Sequence, residues 1–146
     1  MIFKEKNLLE PGRNAIAGAP EGRDAQVLAE LALEARQSFG ANLLHVARDE
    51  ARMTGLAEAL AFFAPDLVLR ILPAWDCLPY DRVSPNAEVA SRRMDALCSL
   101  VEGPLPGLVL TTVNAATQRL PARDTVRAAT FSARIGDDID TEALLA

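Results

Sequence analysis

The chain has 146 residues, 50% of them hydrophobic and 24% charged, which suits one soluble globular domain with its own core and leaves room for the start of a second. Its net charge of −5 argues against a free-standing nucleic-acid binder, and one Trp with one Tyr cannot build a stacking platform for single strands. Two cysteines, Cys77 and Cys98, and a single histidine fall short of metal-ligand spacing; there is no signal-peptide core and no apolar run of the roughly 18 residues a membrane span needs, so a reducing, cytoplasmic setting is expected.

In chain order, Asn14–Gly18 reads as a short strand that runs into the turn Ala19-Pro20-Glu21-Gly22. A helix is expected from about Asp24 to Gln37, with Leu28, Leu31, Ala32 and Ala35 as its apolar stripe and Gly40 as its C-terminal cap. Leu43–Ala47 is a continuous apolar run, as in a strand covered on both faces, and His45 within it reads as a core histidine. Asp49 is placed to cap a second helix, in which Met53, Leu56, Leu60 and Phe63 recur at helical spacing until Pro65 stops it. Leu67–Leu72 is the third strand.

A segment with two prolines, two aspartates and an aromatic pair comes next: Trp75-Asp76-Cys77-Leu78-Pro79-Tyr80-Asp81, then Ser84-Pro85. Ser84 is the expected N-cap of a helix from about Pro85 to Val101, with Ala90, Met94, Leu97, Cys98 and Val101 inward. At least one of Arg92 and Arg93 should then project outward. Leu108–Thr112 is the fourth strand. Strands alternating with helices imply right-handed crossovers and a parallel sheet flanked by helices, an α/β fold. After Leu120-Pro121 the pattern changes. Arg127–Ile135 alternates imperfectly, as a half-buried strand would, and a helix opening at Asp140 stops with Ala146 as a truncated element would. Residues 1–120 are therefore read as one domain and 121–146 as the beginning of another.

Two places could carry chemistry. Laid on the phosphate-cradling pattern G-x-x-x-x-G-K-[ST], the first turn puts Ala17 at the first glycine, Gly22 at the second, Arg23 at the lysine and Asp24 at the hydroxyl position. Only Gly22 matches. Arginine is a planar fork where the motif needs a compact charge, and Asp24 would repel a triphosphate while suiting a helix start. The second place is the loop at the C-terminal end of the third strand, the edge where open parallel sheets hold ligands. Trp75 and Tyr80 are expected to pin that loop while its prolines stiffen it; a docking surface is the other reading. Asp76 and Asp81 are the carboxylates of any acid–base scheme, but no histidine or lysine lies near them in sequence.

Leu72-Pro73-Ala74-Trp75-Asp76, Leu78-Pro79-Tyr80-Asp81, Ser84-Pro85 and a helix bearing Ser91-Arg92 together resemble the N-terminal region of the bacterial transcription-repair coupling factor (Mfd) family. A weaker likeness covers Leu108–Ala115 and Gln118-Arg119-Leu120-Pro121. The resemblance implies a module like the repair helicase UvrB with a degenerate P-loop, then the start of a small inserted α+β domain. It implies no catalysis and no cofactor in this fragment, the family's ATP-driven motor lying in a distant C-terminal module. It also implies UvrA as a partner, contacted mainly through sequence beyond these residues, and RNA polymerase and DNA as partners of the full-length protein alone. A free-standing protein-interaction module and a weak P-loop-like nucleotide binder remain the alternatives.

Overall fold

The computed structural model of the chain describes residues 12–20, 22–78, 80, 82–102, 105–131, 133 and 135–138. Among them are α1 (Arg23–Phe39), β1 (Leu43–Ala47), α2 (Glu50–Phe63), β2 (Leu69–Leu72), α3 (Ala87–Glu102), β3 (Leu108–Thr112), α4 (Val113–Thr117) and α5 (Arg123–Ala129). The three strands form one parallel sheet in the order β1-β3-β2. This is the α/β architecture that the alternation of strand and helix patterns predicts.

Strand β3 is the centre. All five of its residues are buried, because it has a hydrogen-bonded neighbour on each side and helices above and below. Its register sets Leu43 and Leu69 beside Leu108, and His45 and Ile71 beside Leu110. These residues share one face, where Leu108 and Leu110 join Ala25, Ala29 and Ala32 of α1 and Met53, Leu56 and Leu60 of α2 in the main core. Alanines at the closest approach of α1 let both helices sit over so small a sheet. On the opposite face, Leu72 packs with Ala96 and Leu97 of α3, and Val126 of α5 closes over them.

Local chemistry sets the helix ends. Gly40 adopts φ 59°, its N–H bonds Arg36 O at 3.0 Å, and Ala41 N–H bonds Ala35 O at 3.3 Å; this paired arrangement ends α1 where the sequence places a cap. The Asp49 carboxylate accepts from Arg52 N–H at 2.8 Å and starts α2. The start of α3 differs from expectation. Asn86, not Ser84, accepts the first-turn N–H, from Glu88 at 2.8 Å, so Ser84 and Pro85 lie before the helix. The inward face of α3 differs as well: Arg93, Ala96 and Leu97 are buried, while Met94 is exposed.

Three further expectations are corrected. Asn14–Gly18 forms no strand; it is exposed, and among the described residues the sheet is made of β1, β3 and β2 alone. Strand β1 is covered on one face only, with Leu44 and Val46 open on the other, because α3 packs on β2, at the opposite edge of the sheet. Arg127–Ala129, the start of the expected strand Arg127–Ile135, belongs instead to the helix Arg123–Ala129. An Asp124–Arg127 pair at 3.6 Å spans one turn of α5, and Val126 alone turns inward, which a helical period satisfies better than an alternating one. The helix expected from Asp140 lies outside the described residues.

The end of the sheet at the start of β3 is tied by a buried arginine. Arg70 donates through Nε to Ser99 Oγ at 2.7 Å, through Nη1 to Asn42 Oδ1 at 3.3 Å and through Nη2 to the Leu105 carbonyl at 2.9 Å. Asn42 Oδ1 also accepts Gly107 N–H at 2.8 Å. Gly107 is compelled by space: a Cβ there would stand 2.0 Å from the Val68 carbonyl oxygen, which accepts Leu108 N–H. Gly107→Ala is expected to cost about 2–4 kcal/mol in urea unfolding, since that backbone must move. Gly55→Ala, inside α2 with open space around it, should instead add about 0.5–1 kcal/mol.

Candidate functional site

The helix that follows the degenerate turn begins at Gly22, whose φ of 89° permits the bend and which offers no side chain as a cap. Arg23 is exposed; with residues 16–20 and Val27 it borders a hollow of about 180 Å³. Asp24 is not the cap. It lies in the first turn, where Oδ1 accepts Ala25 N–H at 3.0 Å and Oδ2 pairs with the Arg52 guanidinium from α2. A carboxylate at this pole is favoured by the helix dipole. The first turn of α1 therefore holds an anion of the chain itself, with Arg52 as its counter-ion. His45 on β1 lies within the field of both groups. Burial pushes its imidazole below the ordinary value of 6.5, Asp24 opposes that shift and Arg52 adds to it.

The loop after β2 is fixed at both ends. Trp75 N–H donates to Gln118 Oε1 at 3.0 Å. Arg93, 1% exposed, lies with its guanidinium carbon 4.5 Å from the centre of the Trp75 ring. Its Nη1 donates to Gln118 Oε1 at 3.1 Å and to the Pro73 carbonyl. Its Nε is buried without an acceptor, and burial lowers the guanidinium from its usual value. Farther along, both Asp76 carboxylate oxygens lie 3.2 Å from Asn86 N–H, joining the loop to the start of α3. Asp76 thus serves the backbone here. Among the described residues no cluster of His, Cys, Asp and Glu could hold a metal.

The structure brings Trp75, Asp76 and Arg93 together and separates the other sequence-predicted positions from them. Tyr80 does not pin the loop; it is 97% exposed, beside exposed Leu78 and Val83. Arg92 faces outward and bonds Glu88 Oε1 at 2.6 Å, one turn back on its own helix. Asp81 lies outside the described residues. Gln118, Asn86 and Arg52 were not singled out in the sequence: each is an ordinary polar residue whose role appears only when two distant segments meet. Cys77 and Cys98 are free thiols, half-buried, and Cys98 Sγ accepts from Thr130 Oγ1 at 3.3 Å.

No protein-family model matches the chain. It is 39% identical to a transcription-repair-coupling factor of Myxococcus xanthus over 71% of this chain and 9% of that protein. It is 32% identical to the transcription-repair-coupling factor of Rickettsia prowazekii over 56% of this chain and 7% of that protein. The chain thus belongs to the transcription-repair-coupling-factor family and spans less than a tenth of the length of the curated relatives it matches.

Two measurements check this geometry. Trp75 is the sole tryptophan, so its emission reports on the Arg93 contact without interference. Arg93→Lys keeps the charge but loses the planar fork, and is expected to cost about 1–3 kcal/mol and to move Trp75 emission to the red. The second concerns pH. The unfolded chain takes up a proton at His45 before the folded chain does, so its share of stability is whole above pH 6.5 and declines as pH falls through that value. His45→Gln should flatten that part of the unfolding-versus-pH curve.

Proposed function

We propose that this chain, a partial transcription-repair-coupling-factor sequence, acts in transcription-coupled repair as a noncatalytic α/β scaffold. The observation that carries the noncatalytic reading is Asp24. A carboxylate paired with Arg52 fills the helix pole where a nucleotide's phosphate would need an empty positive site, and three of the four defining P-loop positions are substituted. Residues 1–120 form the UvrB-like scaffold in this reading, and 121–146 begin an inserted domain. UvrA is the partner to be recruited, chiefly through the rest of that insert, while RNA polymerase and DNA are engaged through the remainder of a longer protein.

A protein-contacting role for the loop after β2 is supported by its build. A segment anchored at Trp75 and Asp76 presents Leu78, Tyr80 and Val83 to solvent, and apolar side chains on a preorganised loop lose little freedom when a partner covers them.

Magnesium-ATP is expected to leave the thermal midpoint of the chain unchanged, since only a ligand that binds the native state raises it. A saturable rise that disappears in Arg23→Ala would replace this reading with nucleotide binding. For the partner, purified UvrA is expected to bind a version extended through the complete inserted domain and not the 146-residue chain. Equal binding by both would move the contact into the described residues, and binding by neither would overturn the UvrA assignment.

A further inference from the structure

We infer that the outer edge of β2 is a docking groove for an extended protein segment with apolar side chains two residues apart and a lysine or arginine beside them. The inference is independent of the UvrA reading. Leu108 N–H bonds Val68 O at 2.9 Å, and the parallel register then turns the backbone groups of Arg70 toward β3. Those of Leu69 and Ile71 consequently point away from the sheet, and among the described residues no strand takes them. An edge of this kind is a ready template for one more strand.

Beside the edge, α2 carries small side chains where larger ones would close the gap. Two hollows result. One, of about 150 Å³, lies between Ala61 and Leu69; the other, of about 130 Å³, lies between Ala57 and Ile71. Leu69 and Ile71 are successive residues on one face of β2, so the hollows repeat at the spacing of side chains i and i+2 of an added strand. Each has room for a Val, Leu or Ile side chain.

Charge selects the occupant. Glu50 and Glu58 border the second hollow, and Arg92, which also borders it, is held by Glu88 at 2.6 Å. The rim is therefore acidic, and the chain's net charge of −5 adds to the attraction for a basic segment. A second copy of this chain paired through its own β2 would set these glutamates against their counterparts. A different, basic partner is the better fit.

The test is titration of the isotope-labelled 146-residue chain with the peptide Lys-Val-Thr-Val-Thr-Val-Lys and with its Glu-flanked counterpart, followed by amide NMR. The Lys-flanked peptide is expected to move the Leu69 and Ile71 amide signals and to bind at least ten-fold more tightly than the Glu-flanked one. The exposed double change Glu50→Lys with Glu58→Lys should reverse that preference, and Ala61→Phe, which plugs the first hollow, should weaken binding at least ten-fold, both with circular dichroism unchanged. Absence of binding, equal binding of the two peptides, or shifts that spare Leu69 and Ile71 would overturn the inference. So would self-association in sedimentation that moves the same two amides.

Discussion

Two buried guanidinium groups, Arg70 and Arg93, hold the layer of α3 against the sheet, and both are met by hydroxyl, amide or carbonyl acceptors rather than by a carboxylate among the described residues. Burying a cation is costly unless its donors are met. Arg70 meets this constraint fully, with a hydroxyl, a side-chain amide and a backbone carbonyl as acceptors. Arg93 meets it partly, with the Pro73 carbonyl, Gln118 and the Trp75 ring, leaving Nε without an acceptor. The two sites lie toward opposite ends of β2, so together they fix how α3 crosses the strand. The loop geometry between β2 and α3 follows from that. Trp75 is held because Arg93 lies over it, and Asn86 starts α3 beside the Asp76 carboxylate.

The same economy shapes the rest of the sheet. With only three described strands, β3 is covered on every side while β1 and β2 each keep an open edge. On β1 this leaves Leu44 60% exposed. On β2 it leaves a groove between the strand and the small side chains of α2. Parallel sheets are ordinarily buried on both faces, so the open side of β1 is an unusual exposed apolar surface for this architecture.

At the start of α1, electrostatics within the chain sets the packing. A helix pole with free N–H groups attracts an anion, and here the sequence supplies one in Asp24. Arg52, reaching across from α2, balances it and links the two helices that cover the main core face. Gly22 supplies the backbone freedom of the turn, and the Asp24–Arg52 pair makes the start of α1 part of its packing against α2.

Much of this architecture is legible in the residues. Alternating strand and helix patterns, the Gly40 and Asp49 caps and the stop at Pro65 follow from local preferences, and they imply a parallel sheet before any coordinate is known. The substituted P-loop positions and the Trp75–Arg93 signature are likewise visible in the chain, because side-chain chemistry is written there directly. What the tertiary structure decided was partnership. A strand needs a neighbour, so Asn14–Gly18 is not a strand despite the apolar run Ala15-Ile16-Ala17. A charged residue needs a reason to be buried, so only packing could separate Arg93, over the Trp75 ring, from Arg92 in solvent. Gln118, Asn86 and Arg52 acquire their roles from segments far away in sequence, since a hydrogen bond depends on which groups meet in space, and local pattern carries no record of that.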